Sequence, residues 1–540
     1  MENVPVFYWP FLASDLEKSN YYIERVRFRQ DSIFGTQFLI DFDAYQVFNI
    51  KNPPAGTKWD LSLDVLSERG VAVGTNFLYD RAGLFNIPGR YYGVFDAWGL
   101  KDNGEDNLGR DRRAVPPEAD FRGRILGRHR HFLDDGFQLS AELGLISDRN
   151  FLEQYYEHEW DEFKDQTTGV ELKQTRDNMS WALSVDVRPM GFWTDTQSLP
   201  RLDHFWLGQP LLGDRITWFE HSTAAYQQLR TASTPLNPPD FNKFTLEPYE
   251  AGVNGERFST KHELDFPIAL GPAKLVPYAL GELDHWGAGL DGNDRNRAYT
   301  QLGVRASLPM WSVDPDVQSD LFYLNGIAHK MSFDVDVAYS ASTLDMKELP
   351  LYDPLDDNNI ETFRRRFAFD TFGTPLVPQF PLQFDPRTYA LRSGLAGQVT
   401  SPSVEVADDL LALRLGWRQR WQTKRGNPNA PRIVDWITLD THAVLFPNPS
   451  RDNFDQVVGL VDYNFIWNIG DRVSLVSDGL FDFFANSPRY VSVGGYLARP
   501  PRGSIYFGIR SMEGPISTTV LTSAYTYRMN DKWASTMSSN

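Results

Sequence analysis

The residues best equipped for chemistry are few and scattered. Arg128-His129-Arg130-His131 brings two imidazoles and two guanidiniums together. In an extended strand residues i and i+2 share a face, so Arg128 and Arg130 project one way and His129 and His131 the other. Two histidines on one face can begin a metal site, but no third ligand accompanies them, and a polar cluster at a hairpin end is the expectation. Asp353, Asp356, Asp357, Asn358 and Asn359 form an oxygen-rich loop. They lack the alternate spacing, the Gly and the distal Glu of a helical calcium loop, and read as a solvated loop. Arg364-Arg365-Arg366 just beyond reads as a source of internal salt bridges. No Gly-x-Ser-x-Gly elbow, phosphate-cradling Gly-rich loop or His-Glu-x-x-His helix occurs. The absence of cysteine removes thiol nucleophiles, thiolate metal sites and disulfides at once. The expectation is a protein that is not an enzyme and carries no metal or cofactor.

The frame that must position these residues is large and acidic. The chain has 540 residues, with 71 Asp and Glu against 53 Lys and Arg, for a net charge of −18. Phosphate backbones need clustered cations, so this balance argues against nucleic acid as a partner. With 41% apolar residues, 15 Trp, 23 Tyr and 37 Phe, the chain has ample material to fold. No stretch approaches the ~18 apolar residues of a membrane-spanning helix, so a meeting with a membrane must be made by strands. The start, Met1-Glu2-Asn3-Val4-Pro5, has neither a basic nor an apolar signal region, which reads either as a cytoplasmic protein or as a fragment whose export signal lies upstream.

Period-two alternation runs through almost the whole length. Trp59, Leu61, Leu63 and Val65 share one face while Asp60, Ser62 and Asp64 take the other. The same grammar recurs at 121–145, 181–187, 302–310, 331–339, 411–421, 461–469, 473–483 and 519–527. Segments of about 9–11 residues exceed the usual sandwich strand and suit a tilted crossing of a bilayer. Short connections (67–70, 133–136, 469–472, 529–532) contrast with long ones near 101–118, 148–170, 231–258 and 345–390, the layout of an outer-membrane barrel. The expected fold is therefore all-β: a large single-chain antiparallel transmembrane β-barrel of about 26 strands over residues 13–540. Such a barrel closes at a diameter of about 50 Å, too wide to stand open, so loops or a second polypeptide must plug it. Arg122, Arg124, Asp334, Asp336, Arg414 and Arg418 fall on the polar face and are expected to face the lumen.

Proline placement adds a seam. Val4 to Leu12 is extended and aromatic, with Pro5 and Pro10 inside it, and proline cannot donate to a strand ladder. This segment resembles the junction between periplasmic domain and barrel in the lipopolysaccharide-assembly outer-membrane family LptD, also called organic solvent tolerance protein. Further matches run in the family's order: Trp59 to Leu63 followed by Ser67-Glu68-Arg69-Gly70, then Ser147-Asp148-Arg149-Asn150-Phe151-Leu152, and Glu263 to Pro267 through Pro277-Tyr278. The resemblance implies that residues 1–12 end a periplasmic domain and that Pro5 and Pro10 weaken a lateral gate between first and last strands. It implies lipopolysaccharide as cargo in the outer membrane, a plug lipoprotein of the LptE type, a periplasmic bridge of the LptA type and insertion by the barrel-assembly machinery. The family's other seam proline would fall within 22–25, where this sequence has none, and its cysteines are absent. Apart from the resemblance, the pattern also fits a passive porin or nutrient transporter, or a soluble extracellular all-β carbohydrate-binding protein or hydrolase.

Overall fold

The structure is a computed structural model that describes residues 22–109, 112–162, 165–373, 381–395, 397–427, 429–530 and 533–539. Its 26 β segments place 24 in one antiparallel sheet, where each strand pairs with its neighbours in the chain, from Ile23–Asp31 to Ala534–Ser539. Two of the 24 are one line: Val253–Asp265 stops at Phe266-Pro267 and Ile268–Leu270 resumes it, both pairing with Ala273–Trp286. Proline removes the ladder donor and accounts for the break. A separate ribbon joins Asp106–Asn107 to Arg113–Val115.

The burial pattern is inverted relative to a protein folded in water. Along Ala273–Trp286, Glu282 and Asp284 are 2% and 6% exposed while Leu283 between them is 64% exposed. On Val253–Asp265 the buried side chains are Arg257, Ser259, Lys261 and Glu263, and Phe258 and Leu264 stand outside. Buried charges must be paired, and a continuous apolar exterior is stable only against hydrocarbon. The sheet is thus a transmembrane β-barrel with a polar interior. A soluble sandwich would need Leu61, Leu143, Val335 and Leu413 under a second protein layer; each is instead half-buried on the outer face and belongs to none of the apolar clusters.

Because successive strands are antiparallel, alternate connections lie at the same end. One end gathers 102–120, 147–167, 231–252 and 343–409. The other gathers turns such as Asp134–Gly136 and the two-residue hairpins at Phe85-Asn86 and Asp177-Asn178. Positive φ at Phe85 and Asn86 (50° and 65°) matches the twist that such hairpins require. Departures from the expected layout include 44–56, which is longer than its short-turn neighbours, and the tight 32–34 and 67–69 turns, which sit among the long loops. Aromatic rings ring the outer face near the short turns, in contacts running from Tyr45–Trp59 through Tyr79–Tyr91 to Phe137–Trp181 and Trp206–Trp218. This is the girdle expected where strands leave hydrocarbon.

Apolar packing belongs to the long-loop end. Tyr249, Met346, Leu351, Leu391, Val406 and Phe446 form one cluster and Phe151, Leu152, Trp160 and Trp193 another. The 343–409 connection supplies much of the first and contains helices that strand periodicity did not reveal. Asn358–Phe372 starts at Asp357, whose side chain caps Ile360 N–H at 2.9 Å. Pro386–Ser393 opens on proline and ends at Gly394, φ 89°.

Candidate functional site

The inner wall is built from inward-facing charges on strands and from loops folded onto them. At the long-loop end Arg122 is fully buried. Its Nε and Nη2 each donate to Asp148 at 2.9 Å, and Nη1 donates to Asp102 at 3.1 Å and Asp106 at 2.5 Å. Arg69, from the tight turn, donates to Asp102 at 3.1 Å, and Tyr155 Oη donates to the same carboxylate at 2.7 Å. Burial works to raise the Asp102 carboxyl, but the bonds from Tyr155 and Gly104 N–H, with Arg69 and Arg122 beside it, hold it below its ordinary value. Asp106, more deeply enclosed, stays raised by burial despite Arg122. Arg124 donates to Asp96 at 2.8 Å and Glu159 at 2.6 Å and lies 3.6 Å over the Tyr156 ring.

A second set of ion pairs fastens the 343–409 connection inside the barrel. Asp353 accepts from Arg201 at 2.8 Å and from Arg257. Arg257 also pairs with Glu405 at 2.9 Å, and Arg297 donates to the Val404 carbonyl at 2.7 Å. Burial favours the neutral form of both acids. At Asp353 the two arginines overcome it and hold the carboxyl well below the usual range, whereas Glu405 remains raised. Across the barrel Arg392 makes a bidentate pair with Asp482 at 2.7 and 2.8 Å and donates to Asn453 at 2.7 Å, its guanidinium ringed by Phe446, Phe454 and Phe484. Contacts to wall strands on widely separated parts of the sheet show that the barrel encloses this connection.

Beside the Pro386–Ser393 helix lies a cavity of about 640 Å³, bordered by Lys274, Arg305, Asp334, Asp336, Arg414 and Arg418. Arg418 pairs with Asp334 at 2.8 Å. The Arg414 side chain makes no hydrogen bond among the described residues; Asp336 stands 3.6 Å away, and its own hydroxyl partner is Tyr278 Oη at 3.2 Å. Arg305 donates to Glu263 at 2.6 Å and lies 3.8 Å over the Tyr278 ring. A second cavity, about 420 Å³, is lined by Arg27, Asp41, Asp64, Asp96, Trp98 and Arg124. Such walls offer cations to phosphate and carboxylate, carboxylates to hydroxyl groups, and aromatic rings to sugar faces.

Asp334, Asp336, Arg414 and Arg418 thus meet at one cavity, while Arg122 lies sealed under loops and Arg124 borders the second cavity. Pro5 and Pro10 lie outside the described residues. The oxygen-rich loop is not solvated throughout: Asp353 is 5% exposed because it is the fastening point for two wall arginines. Internal pairing of the Arg364–Arg366 run holds, with Arg364 on Asp356 and Arg365 on Glu250. His129 stays on the outer face, 2.8 Å from Tyr79 Oη. Arg69, Arg201, Arg257 and Glu405 escaped sequence reasoning; inward parity of Arg257 with Lys261 and Glu263 was the available signal.

No family model and no curated protein matches the chain. Among solved structures, the alcaligin outer membrane receptor FauA from Bordetella pertussis is similar over 93% of this chain and 70% of that one, with 8% identity and a TM-score of 0.27. At that level the likeness speaks to neither cargo nor mechanism. The chain's own geometry defines its class, a large transmembrane β-barrel with a charged inner wall and a loop-filled end.

Proposed function

We propose that the chain is the barrel of an outer-membrane translocon of the LptD type, a conduit and not an enzyme, which delivers lipopolysaccharide to the outer leaflet. Sugars and phosphates would follow the polar interior, and the lipid part would leave through a lateral gate between first and last strands loosened near Pro5 and Pro10. The observation that supports this reading best is where the resemblance motifs meet. Arg69 and Asp148, from two different motifs, converge with Arg122 on one buried ion cluster. Glu263, Asp265 and Tyr278, from another, gather around Arg305 at the larger cavity. There Lys274, Arg305, Arg414 and Arg418 offer cations to an anionic saccharide, and Arg414 is incompletely paired. The partners are a lipoprotein of the LptE type, a periplasmic bridge of the LptA type and the barrel-assembly machinery. Depleting the protein from its native cell tests the reading: newly made lipopolysaccharide should fail to reach the surface and accumulate inside. Normal surface lipopolysaccharide with loss of uptake of a small nutrient would instead identify a passive transporter.

A further inference from the structure

One stretch of the outer face breaks the apolar band. On Asp195–Leu211, Ile216–Arg230 and Val253–Asp265, residues facing the interior are those of the Arg201, His221 and Arg257 parity, so His204, Glu220, Ser222, Thr260 and His262 face outward. They form a continuous hydrogen-bonded chain. Trp218 Nε1–H donates to His262 Nδ1 at 3.2 Å, which puts the proton of a neutral His262 on Nε2, 3.0 Å from Thr260 Oγ1. The Thr260 and Ser222 hydroxyls are 2.8 Å apart, Ser222 donates to Glu220 Oε1, and His204 Nδ1 stands 2.6 Å from Glu220 Oε2. Glu220 is only 5% exposed, a carboxylate set into the outer face with both oxygens filled.

Among the described residues, the chain leaves one ring nitrogen without a partner: Nε2 of His204, whose side chain is 36% exposed. In its doubly protonated form, with the Glu220 carboxylate on Nδ1–H, His204 directs Nε2–H into its surroundings. Those surroundings are set by Trp206, 6.4 Å from His204 by ring centroid, and by Trp218. Tryptophans of a girdle lie at headgroup depth. Arg176 faces the same way two strands across, opposite Met179, which is opposite Trp206. Two strand spacings combined with the two-residue offset from Trp206 to His204 separate the two backbones by about 12 Å, a gap that a phosphodiester held between the two side chains spans, and Arg176 is exposed with no side-chain partner among the described residues.

We propose that His204 and Arg176 hold the phosphodiester of a membrane glycerophospholipid in the leaflet at the short-turn end. The Glu220–Ser222–Thr260–His262–Trp218 chain fixes the imidazole in its donating orientation. Two outward nitrogen groups at headgroup depth, the Arg176 guanidinium and the His204 Nε2–H of the imidazolium form, with Trp181 between their rows, match an anionic diester better than an ammonium or a bare acyl chain. A protein surface in their place would have to bring its own buried acid to this depth.

The test uses the whole barrel in nanodiscs of phosphatidylethanolamine and phosphatidylglycerol, read by native mass spectrometry under graded activation, with heat-modifiable gel mobility as the check on folding. Wild type should keep one phospholipid after the annular lipids leave. Removing a charge-assisted donor in His204→Phe should cut that retention at least about tenfold, and Arg176→Gln, remote from the ladder and the network, should cut it as well even if the histidine variant fails to fold. Equal retention by wild type and Arg176→Gln, or retention of diacylglycerol as firmly as phosphatidylglycerol, would overturn the assignment. Capture of a membrane protein at His204 in place of lipid would overturn it too.

Discussion

Single residues decide whether the long connection stays inside the barrel. Asp353→Ala leaves Arg201 with Asp203 alone and Arg257 with Glu405 alone, and breaking such a buried pair costs about 3–5 kcal/mol. Hydrogen exchange across 343–372 should accelerate strongly in this variant while the strand ladders stay protected; unchanged exchange would show that Asp353 is not a fastening point. Titration acts at the same place with opposite signs. Burial pushes the Glu361 carboxyl well above its ordinary value, with Arg365 opposing and Glu250, Glu247 and Asp165 adding to the rise. The folded state therefore binds that proton more tightly, and stability falls as pH climbs above the ordinary Glu value of about 4.3. Asp353 is depressed, so its contribution is present above about pH 3.9 and is lost as pH falls through its lower folded value. Glu361→Gln should slow exchange of the 358–372 helix at pH 8 relative to wild type and leave it nearly unchanged at pH 4. A difference of the same size at both pH values would contradict the assignment. The partners of Asp353 were not legible in the sequence: Arg201 and Asp353 lie 152 positions apart, and no local period links them.

Strands were legible because their signal is local. Alternation at 59–65, 137–145, 331–339 and 411–417 lies within the observed strands Thr57–Leu66, Phe137–Ile146, Leu324–Ser342 and Leu410–Asn427. The sequence also shows which parity is polar, and the structure turns that parity inward. What alternation could not show was the extent of pairing: Arg295–Ser319 runs 25 residues, well beyond its apolar core at 302–310. The Asn358–Phe372 helix was hidden because its faces carry charge as well as aromatic residues, and loops packed by ion pairs need no apolar stripe. At this scale the test is lipid contact. Leu283→Lys, at a position 64% exposed on the outer face, should destabilise the barrel by about 2–4 kcal/mol if it lies near the bilayer midplane. Denaturant unfolding of the barrel in lipid vesicles reads the change, and a neutral effect would place Leu283 outside the hydrocarbon.

The whole molecule is a wall with its charges inside, closed at one end by its own loops and holding cavities of about 640 and 420 Å³. A polar interior alone would serve a porin. On the proposed reading, the incompletely paired Arg414 and its cationic neighbours serve an anionic cargo. Arg414→Glu should slow lipopolysaccharide delivery several-fold without unfolding the barrel, because the site tolerates solvent and makes no hydrogen bond there. Delivery at the wild-type rate, measured by surface labelling of newly made lipopolysaccharide, would remove Arg414 from the path. The most direct measurement compares adjacent positions on one strand with a photo-crosslinking amino acid in living cells. At Asp336, which borders the cavity, it should capture lipopolysaccharide, and at Val337, exposed on the outer face, only phospholipid. Capture of lipopolysaccharide at neither position, with the barrel assembled and the cells actively exporting, would contradict passage through this interior.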